Sequence, residues 1–337
     1  AAARVLYPFM PVYCRSETPS IAESVLAFGT DVLVNPFTAF ADELRLLLAN
    51  PEAHTLFTRL TPTHGTGRLS DRPCPEGQWI ICGYGRFGQL VVDALTEAGR
   101  PCTPIDPKRQ NSSPKDFSGV WQDELDELKE AYLPLASGIV IGTADDTRNL
   151  AIGAPARQVN PDIHVILRQN DDHSALLFQA LRPDMLMVPS VMVARQCLAA
   201  MTSAMLPRLQ EHLHALPTAT VHRLLEHLPH EDTRVWEVRL NHDEAPAVFA
   251  LFSARREIRL GELLRDNRDR SERLSLHVVA LQRGSDFLAG PDEETLTVLP
   301  NDNLLIACTP GSEYWLSLTL HVEQVMAYVL YGVNRLD

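Results

Sequence analysis

No apolar run in the 337 residues approaches the roughly 20 needed to cross a bilayer, so a membrane-spanning helix is not expected. Residues 1–10 are too short and too poorly flanked for a signal peptide. Basic residues are in deficit: 30 Lys and Arg stand against 43 Asp and Glu, a formal charge of −13. That balance disfavours a phosphate backbone as partner and sets nucleic acid aside. Cys14, Cys74, Cys82, Cys102, Cys197 and Cys308 lie far apart without C-x-x-C spacing, so reduced thiols of an intracellular protein are expected rather than disulfides. Aromatics make up only 7%, yet the 45% hydrophobic content can fill a substantial core over two or three domains.

The most informative stretch is WIICGYGRFG at residues 79–88: a short apolar run, then Gly83, Gly85 and Gly88 in G-x-G-x-x-G spacing, then an amphipathic segment. This order predicts strand, tight turn and helix start, which places a pyrophosphate on the N-terminal amides of a helix. Each glycine has its own task. The first permits the turn, the second lets a phosphate approach without a Cβ in the way, and the third lets helix and strand pack closely. Leu90, Val91, Ala94, Leu95 and Ala98 form one helical face, Gly99 supplies a stop, and residues 102–105 make a second strand ending at Asp106. That acid stands 18 residues beyond Gly88, about where a carboxylate meets a ribose hydroxyl.

A third strand, residues 138–142, is followed by TADDTRNL from Thr143. Asp145 and Asp146 are each read two ways, as helix caps or as ligand contacts at the carboxyl edge of the sheet. Arg168 ends the next strand at that edge, where a planar guanidinium suits phosphate oxygens. Residues 107–119 are irregular and polar, and no normal third strand can be placed there.

Residues 12–41 align without gaps on residues 165–194, pairing Arg15 with Arg168, Asp31 with Asp184 and Pro36 with Pro189. The chain thus contains one fold segment twice. Residues 1–50 read as the last third of a Rossmann-like unit whose Gly-rich part is not in this sequence, so a fragment of a longer protein is expected. Residues 71–77 (DRPCPEG) read as the linker between the units. From Arg234 onward, strands at 234–240, 276–282 and 304–308 describe a small α+β module. No nucleophile, base and orienter set emerges there, and no catalytic residue is assigned. His212, His214, His222, His227 and His230 are read as a solvated segment, because His212 and His214 point to different sides of a helix. No metal site is expected.

Together, WIICGYGRFGQ, Asp106, GIVIGTADDTRNL, VILRQND and DMLMVPS resemble the domains that regulate potassium conductance, the RCK or TrkA-N (KTN) family. The resemblance extends over almost the whole chain. It implies an α/β, Rossmann-like doubly wound parallel sheet (the RCK N-lobe) with a small α+β C-lobe, preceded by the end of a second Rossmann-like unit. Residues 1–72 would be the C-terminal part of a first N-lobe plus linker, 76–204 a second N-lobe, 205–232 crossover helices, and 233–337 the C-lobe. The resemblance implies NAD, NADH or an adenine nucleotide (AMP, ADP or ATP) held by Gly83, Gly85, Arg86, Phe87, Gly88, Asp106, Thr143, Asp145 and Arg168. One departure is that the family's Gly-Asp-Ala strand is replaced here by Gly119 and Val120 alone.

The expected function is a ligand-sensing domain on the cytoplasmic side of a bacterial membrane that gates a potassium channel, not an enzyme. Its partner would be a channel pore or a transporter membrane subunit. The alternatives are a peripheral NAD-binding subunit of a potassium uptake system and an NAD-dependent oxidoreductase. A homo-oligomer through the crossover helix is also expected, since Val191, Val193, Ala194, Leu198, Met201 and Met205 offer more apolar surface than one sheet needs.

Overall fold

A computed structural model describes residues 2–61, 72–105, 128, 132–228 and 233–332. In chain order the elements are α1 (Ala2–Leu6), β1 (Tyr13–Arg15), α2 (Pro19–Ala27), β2 (Val32–Val34), α3 (Pro36–Ala49), α4 (Pro51–Leu60), β3 (Trp79–Cys82), α5 (Arg86–Glu97), β4 (Cys102–Ile105), β5 (Gly138–Ile141), α6 (Asp146–Val159), β6 (His164–Arg168), α7 (Ala175–Ala180), β7 (Met185–Met187), α8 (Pro189–Thr202), α9 (Met205–Leu213) and α10 (Thr218–His227). They continue with β8 (Arg234–Arg239), α11 (Pro246–Ser253), α12 (Leu260–Leu263), β9 (Leu276–Arg283), β10 (Asp286–Ala289), β11 (Asn303–Cys308), α13 (Ser312–His321) and α14 (Glu323–Tyr331). None of the described helices is long and apolar enough to cross a membrane.

The described residues fall into two compact units, one of Ala1–Pro51 and Thr63–Cys197, the other of Glu52–Pro62 and Leu198–Asp337. These differ from the boundaries read from the sequence. The first repeat copy does not stand alone but joins the Gly-rich half, while α4 goes with the C-terminal module.

In the first unit, five parallel strands run in the order β4-β3-β5-β6-β7. Trp79–Cys82 and Gly138–Ile141 are buried along their whole length, which is why they read as unbroken apolar runs rather than alternating ones. One face of the sheet packs Trp79, Ile81, Val140, Ile166 and Met187 against Val91 and Leu95 of α5, Met192 of α8, and Phe37, Phe40 and Leu44 of α3. The other packs Ile80, Cys82, Ile139, Ile141 and Leu167 against Ile152 and Ala156 of α6 and Phe178 of α7. The helix α3, from the first repeat copy, therefore fills a place in the core of the second.

The repeat holds residue for residue. In the two-stranded parallel sheet, Tyr13, Cys14 and Arg15 pair with Val32, Leu33 and Val34. The equivalents Ile166, Leu167 and Arg168 pair with Met185, Leu186 and Met187 in the same register. The correspondence also reaches upstream of the aligned segment. Arg4 binds Gly29 O and Asp31, and Asp31 accepts the Val12 amide; Arg157 binds Arg182 O and Asp184, and Asp184 accepts the Val165 amide.

The second unit is built on a four-stranded antiparallel sheet in the order β10-β9-β11-β8. Val238, Leu276, Val278, Leu304 and Ile306 of the sheet pack with Val248 and Leu251 of α11, Leu316 and Leu320 of α13, and Met326 of α14. The α9 and α10 helices contact β9. The expected strands at 234, 276 and 304 are present, whereas the short hairpin strand β10 was not anticipated. Met205, expected on the exposed face of the crossover helix, is buried. The helix breaks at Ser203, whose hydroxyl accepts the Met205 amide, so the helical spacing does not carry across. Leu198 and Met201 are exposed, at 52% and 66%.

Candidate functional site

The Gly-rich turn leaves the carboxyl end of β3, whose neighbours are β4 on one side and β5 on the other. The order of strands reverses here, β4 being added on one side of β3 and β5 on the other, and a crevice at such a switch is where open α/β sheets hold ligands. Gly83 and Gly88 play the parts in turn and packing that the sequence suggested, and Gly85 differs from both. Gly83 sits at φ +97°, and a Cβ on it would lie 3.0 to 3.2 Å from the backbone of Gly142 and Thr143. A Cβ on Gly88 would lie 2.1 Å from Gly83 O, so this glycine lets α5 lie against its own strand. Gly85 has an ordinary φ of −78° and a Cβ there would meet nothing within 4 Å. Neither fold nor packing requires glycine at 85. It caps α5 without a side chain, and as in any first turn the amides of Arg86, Phe87 and Gly88 have no acceptor within the helix.

The other expected residues separate by role. Thr143 lies at the end of β5, and its amide and hydroxyl both donate to Asn149 Oδ1, at 3.1 and 2.6 Å. Asn149 is fully buried, and its amide group donates to Thr143 O and, at 2.8 Å, to Arg168 O. It joins the ends of β5 and β6 and was missed; its signal is a polar residue on the same helical face as Ile152, Gly153 and Ala156.

The Asp145 carboxylate caps α6, accepting the amides of Thr147 at 2.9 Å and Arg148 at 3.3 Å. Asp146 accepts the amides of Asn170 and Asp171 and the side chain of Asn170, and so pins the loop after β6. Both carboxylates therefore carry structural hydrogen bonds. The Phe87 side chain is core, with its ring against those of Phe37 and Phe40 and over Gly142; only its backbone can face a ligand. Asp106 lies outside the described residues.

Arg168 is at the end of β6, as expected. Its guanidinium stacks 4.7 Å from the centre of the Phe37 ring, and its buried Nε has no hydrogen-bond partner among the described residues. Burial pulls its pKa down, while Glu17 and Asp146 oppose that effect. Arg86 also lies over Phe37, at 5.8 Å, and pairs with Glu17 at 3.2 Å. Arg15 pairs with the same Glu17. Glu17 and Phe37 were not singled out from the sequence, because both belong to the first repeat copy and nothing in it marks them as neighbours of the Gly-rich turn.

A family model described as the TrkA-N domain matches residues 79–189. This segment is a TrkA-N domain. It spans the whole parallel sheet from β3 to β7 and the first residue of α8. Potassium channel protein 1 of Methanocaldococcus jannaschii is 26% identical over 100 residues, which cover 28% of this chain and 30% of that protein. The probable potassium channel protein 2 of the same organism is 30% identical over 109 residues, covering 30% of this chain and 32% of its own length. The chain thus aligns with about a third of each of these relatives. Among solved structures, the GsuK RCK domain is 17% identical with a TM-score of 0.41, covering 92% of this chain and 75% of that one. The GsuK channel bound to NAD is 18% identical with the same score, covering 92% and 62%. Among the described residues no group of His, Cys, Asp or Glu is arranged to hold a metal ion.

Proposed function

We propose that the TrkA-N domain binds NAD or a related adenine nucleotide at the start of α5, and that the chain uses this binding to regulate a potassium channel. The observation that carries the first part is Gly85, the one glycine of the turn whose missing side chain serves neither backbone nor packing. Its place beside the free amides of Arg86, Phe87 and Gly88 suits an anionic phosphate. In this reading Arg168 adds a guanidinium at the same edge, Thr143 and the loop at Asp145 form the opposite wall, and Asp106 takes the ribose hydroxyl. The second part is supported by the two channel proteins that the domain resembles.

Control of a pore by this route is linkage. A nucleotide shifts the gate only by the difference in its affinity for the open and closed arrangements. A hundredfold difference, about 2.7 kcal/mol, is ample. A homo-oligomer would add such contributions from several sites, with Leu198 and Met201 as contact residues.

Calorimetry of NAD, NADH, ATP, ADP and AMP against the chain tests the binding step. At least one ligand should bind, and Gly85→Ala should weaken it more than tenfold without moving the melting temperature, whereas Gly88→Ala should lower that temperature. An unchanged affinity in Gly85→Ala removes the site from this turn. Potassium flux through the full-length protein in liposomes tests the second step, and flux indifferent to every nucleotide that binds would refute it.

A further inference from the structure

The phosphate end of the proposed site draws its charges from both repeat copies. Arg15 ends β1, Arg86 opens α5 and Arg168 ends β6. One carboxylate, that of Glu17, is ion-paired with the first two of these arginines. Arg86 is held twice, since its other guanidinium nitrogen donates to Glu17 O at 3.0 Å. A second acid that acts on Arg168, Asp146, has both oxygens committed to the amides of Asn170 and Asp171.

The position of Glu17 in the repeat indicates that the backbone turn itself does not depend on an acid. Its counterpart 153 residues on is Asn170, a neutral residue that serves the same turn through its amides. The loop fold is thus compatible with an uncharged side chain, and the charge at 17 calls for another role. Arg86 is the residue next to Gly85, so its guanidinium is the cation that a chain of phosphates extending from the turn would reach. Glu17 already neutralises it.

We propose that Glu17 is the specificity-determining residue for the number of phosphates the site accepts. This rests on the nucleotide reading above. A monophosphate or a dinucleotide diphosphate uses the amides of α5 and leaves the Glu17–Arg86 pair intact. A triphosphate places further negative charge against Glu17 and must part it from Arg86.

Glu17→Gln in the full chain removes the charge and preserves the shape. Calorimetry at one ionic strength with AMP, NAD, ADP and ATP should show ATP gaining about tenfold, ADP less, and AMP and NAD less than twofold. In Glu17→Gln with Arg86→Gln the ATP gain should vanish. An ATP to AMP affinity ratio equal in wild type and Glu17→Gln overturns the assignment. Should no nucleotide bind either protein, the nucleotide reading fails, and thermal shifts in inorganic tripolyphosphate then decide the role of Glu17. A larger rise in Glu17→Gln than in wild type supports it, and equal rises overturn it.

Discussion

His164 offers a test of the fold that reads directly on pH. It opens β6, is 1% exposed, packs its ring 5.6 Å from that of Trp79, and neither ring nitrogen has a hydrogen-bond partner among the described residues. Burial pulls its pKa from 6.5 to about 4; Asp184, 4.0 Å away, opposes that effect, while Arg72 and Arg157 reinforce it. The sign follows from proton counting. Between pH 6.5 and 4 the unfolded chain carries a proton here that the folded chain does not, so stability present above pH 6.5 is lost as the pH falls. A shift of about 2.5 units amounts to about 3 kcal/mol by pH 4. His164→Leu keeps the bulk and removes the titration. Urea unfolding, followed by circular dichroism and by tryptophan fluorescence, should give His164→Leu a stability at pH 7 equal to or above wild type. The gap should then widen in its favour by about 3 kcal/mol at pH 4. Carboxylates common to both proteins cancel in that difference. Parallel pH profiles for the two proteins would refute the reasoning.

Arg195 and Glu43 form a buried ion pair at 2.8 Å between α8 and α3, and burial pushes the Glu43 carboxyl up while Arg195 pulls it down. Arg195→Met should cost about 3–5 kcal/mol at pH 8. Because Glu43 then stays protonated in the fold to still higher pH, the deficit should shrink as the pH falls toward 5; a pH-independent deficit in chemical denaturation would contradict this. Leu198 and Met201 are exposed on α8, and replacing both with Glu should reduce the mass seen by light scattering at micromolar concentration. A wild-type monomer under those conditions would remove the proposed oligomer.

The parts of the fold that were legible are those where local pattern and tertiary role agree. Fully buried strands such as Trp79–Cys82 and Gly138–Ile141 show as apolar runs, and the two glycines that the backbone and packing constrain, Gly83 and Gly88, show in the spacing of the turn. The repeat was visible from Val12 onward but not at Arg4, because the segment before it shares little besides that arginine. Gly29 and Arg182 occupy the same place with unlike side chains, yet both have positive φ and both offer a carbonyl to the arginine. Asp145 was open to two readings because a helix cap and a ligand contact ask for the same short acidic side chain at the same edge. Met205 was misplaced because helical spacing was extended through the break at Ser203. Glu17, Phe37 and Asn149 depend on contacts between distant segments, which no local period encodes.

The two copies meet at Phe37 and at Glu43, both on α3. Phe37 opens α3 and lies under both Arg86 and Arg168. Two turns further on, the same helix carries Glu43, locked to Arg195 of α8. A phosphate that draws Arg168 or Arg86 off the Phe37 ring forfeits a cation–aromatic contact of about 0.5–2 kcal/mol, and α3 is the first element free to respond. Its response is not free of α8, since separating Glu43 from Arg195 costs more than that contact supplies. The Glu43–Arg195 pair thus couples α3 to α8. If the proposed site gates a pore, α3 and α8 form the rigid pair through which its binding energy would have to pass, and the ligand-dependent differences belong at Glu17 and Phe37 rather than in the sheet.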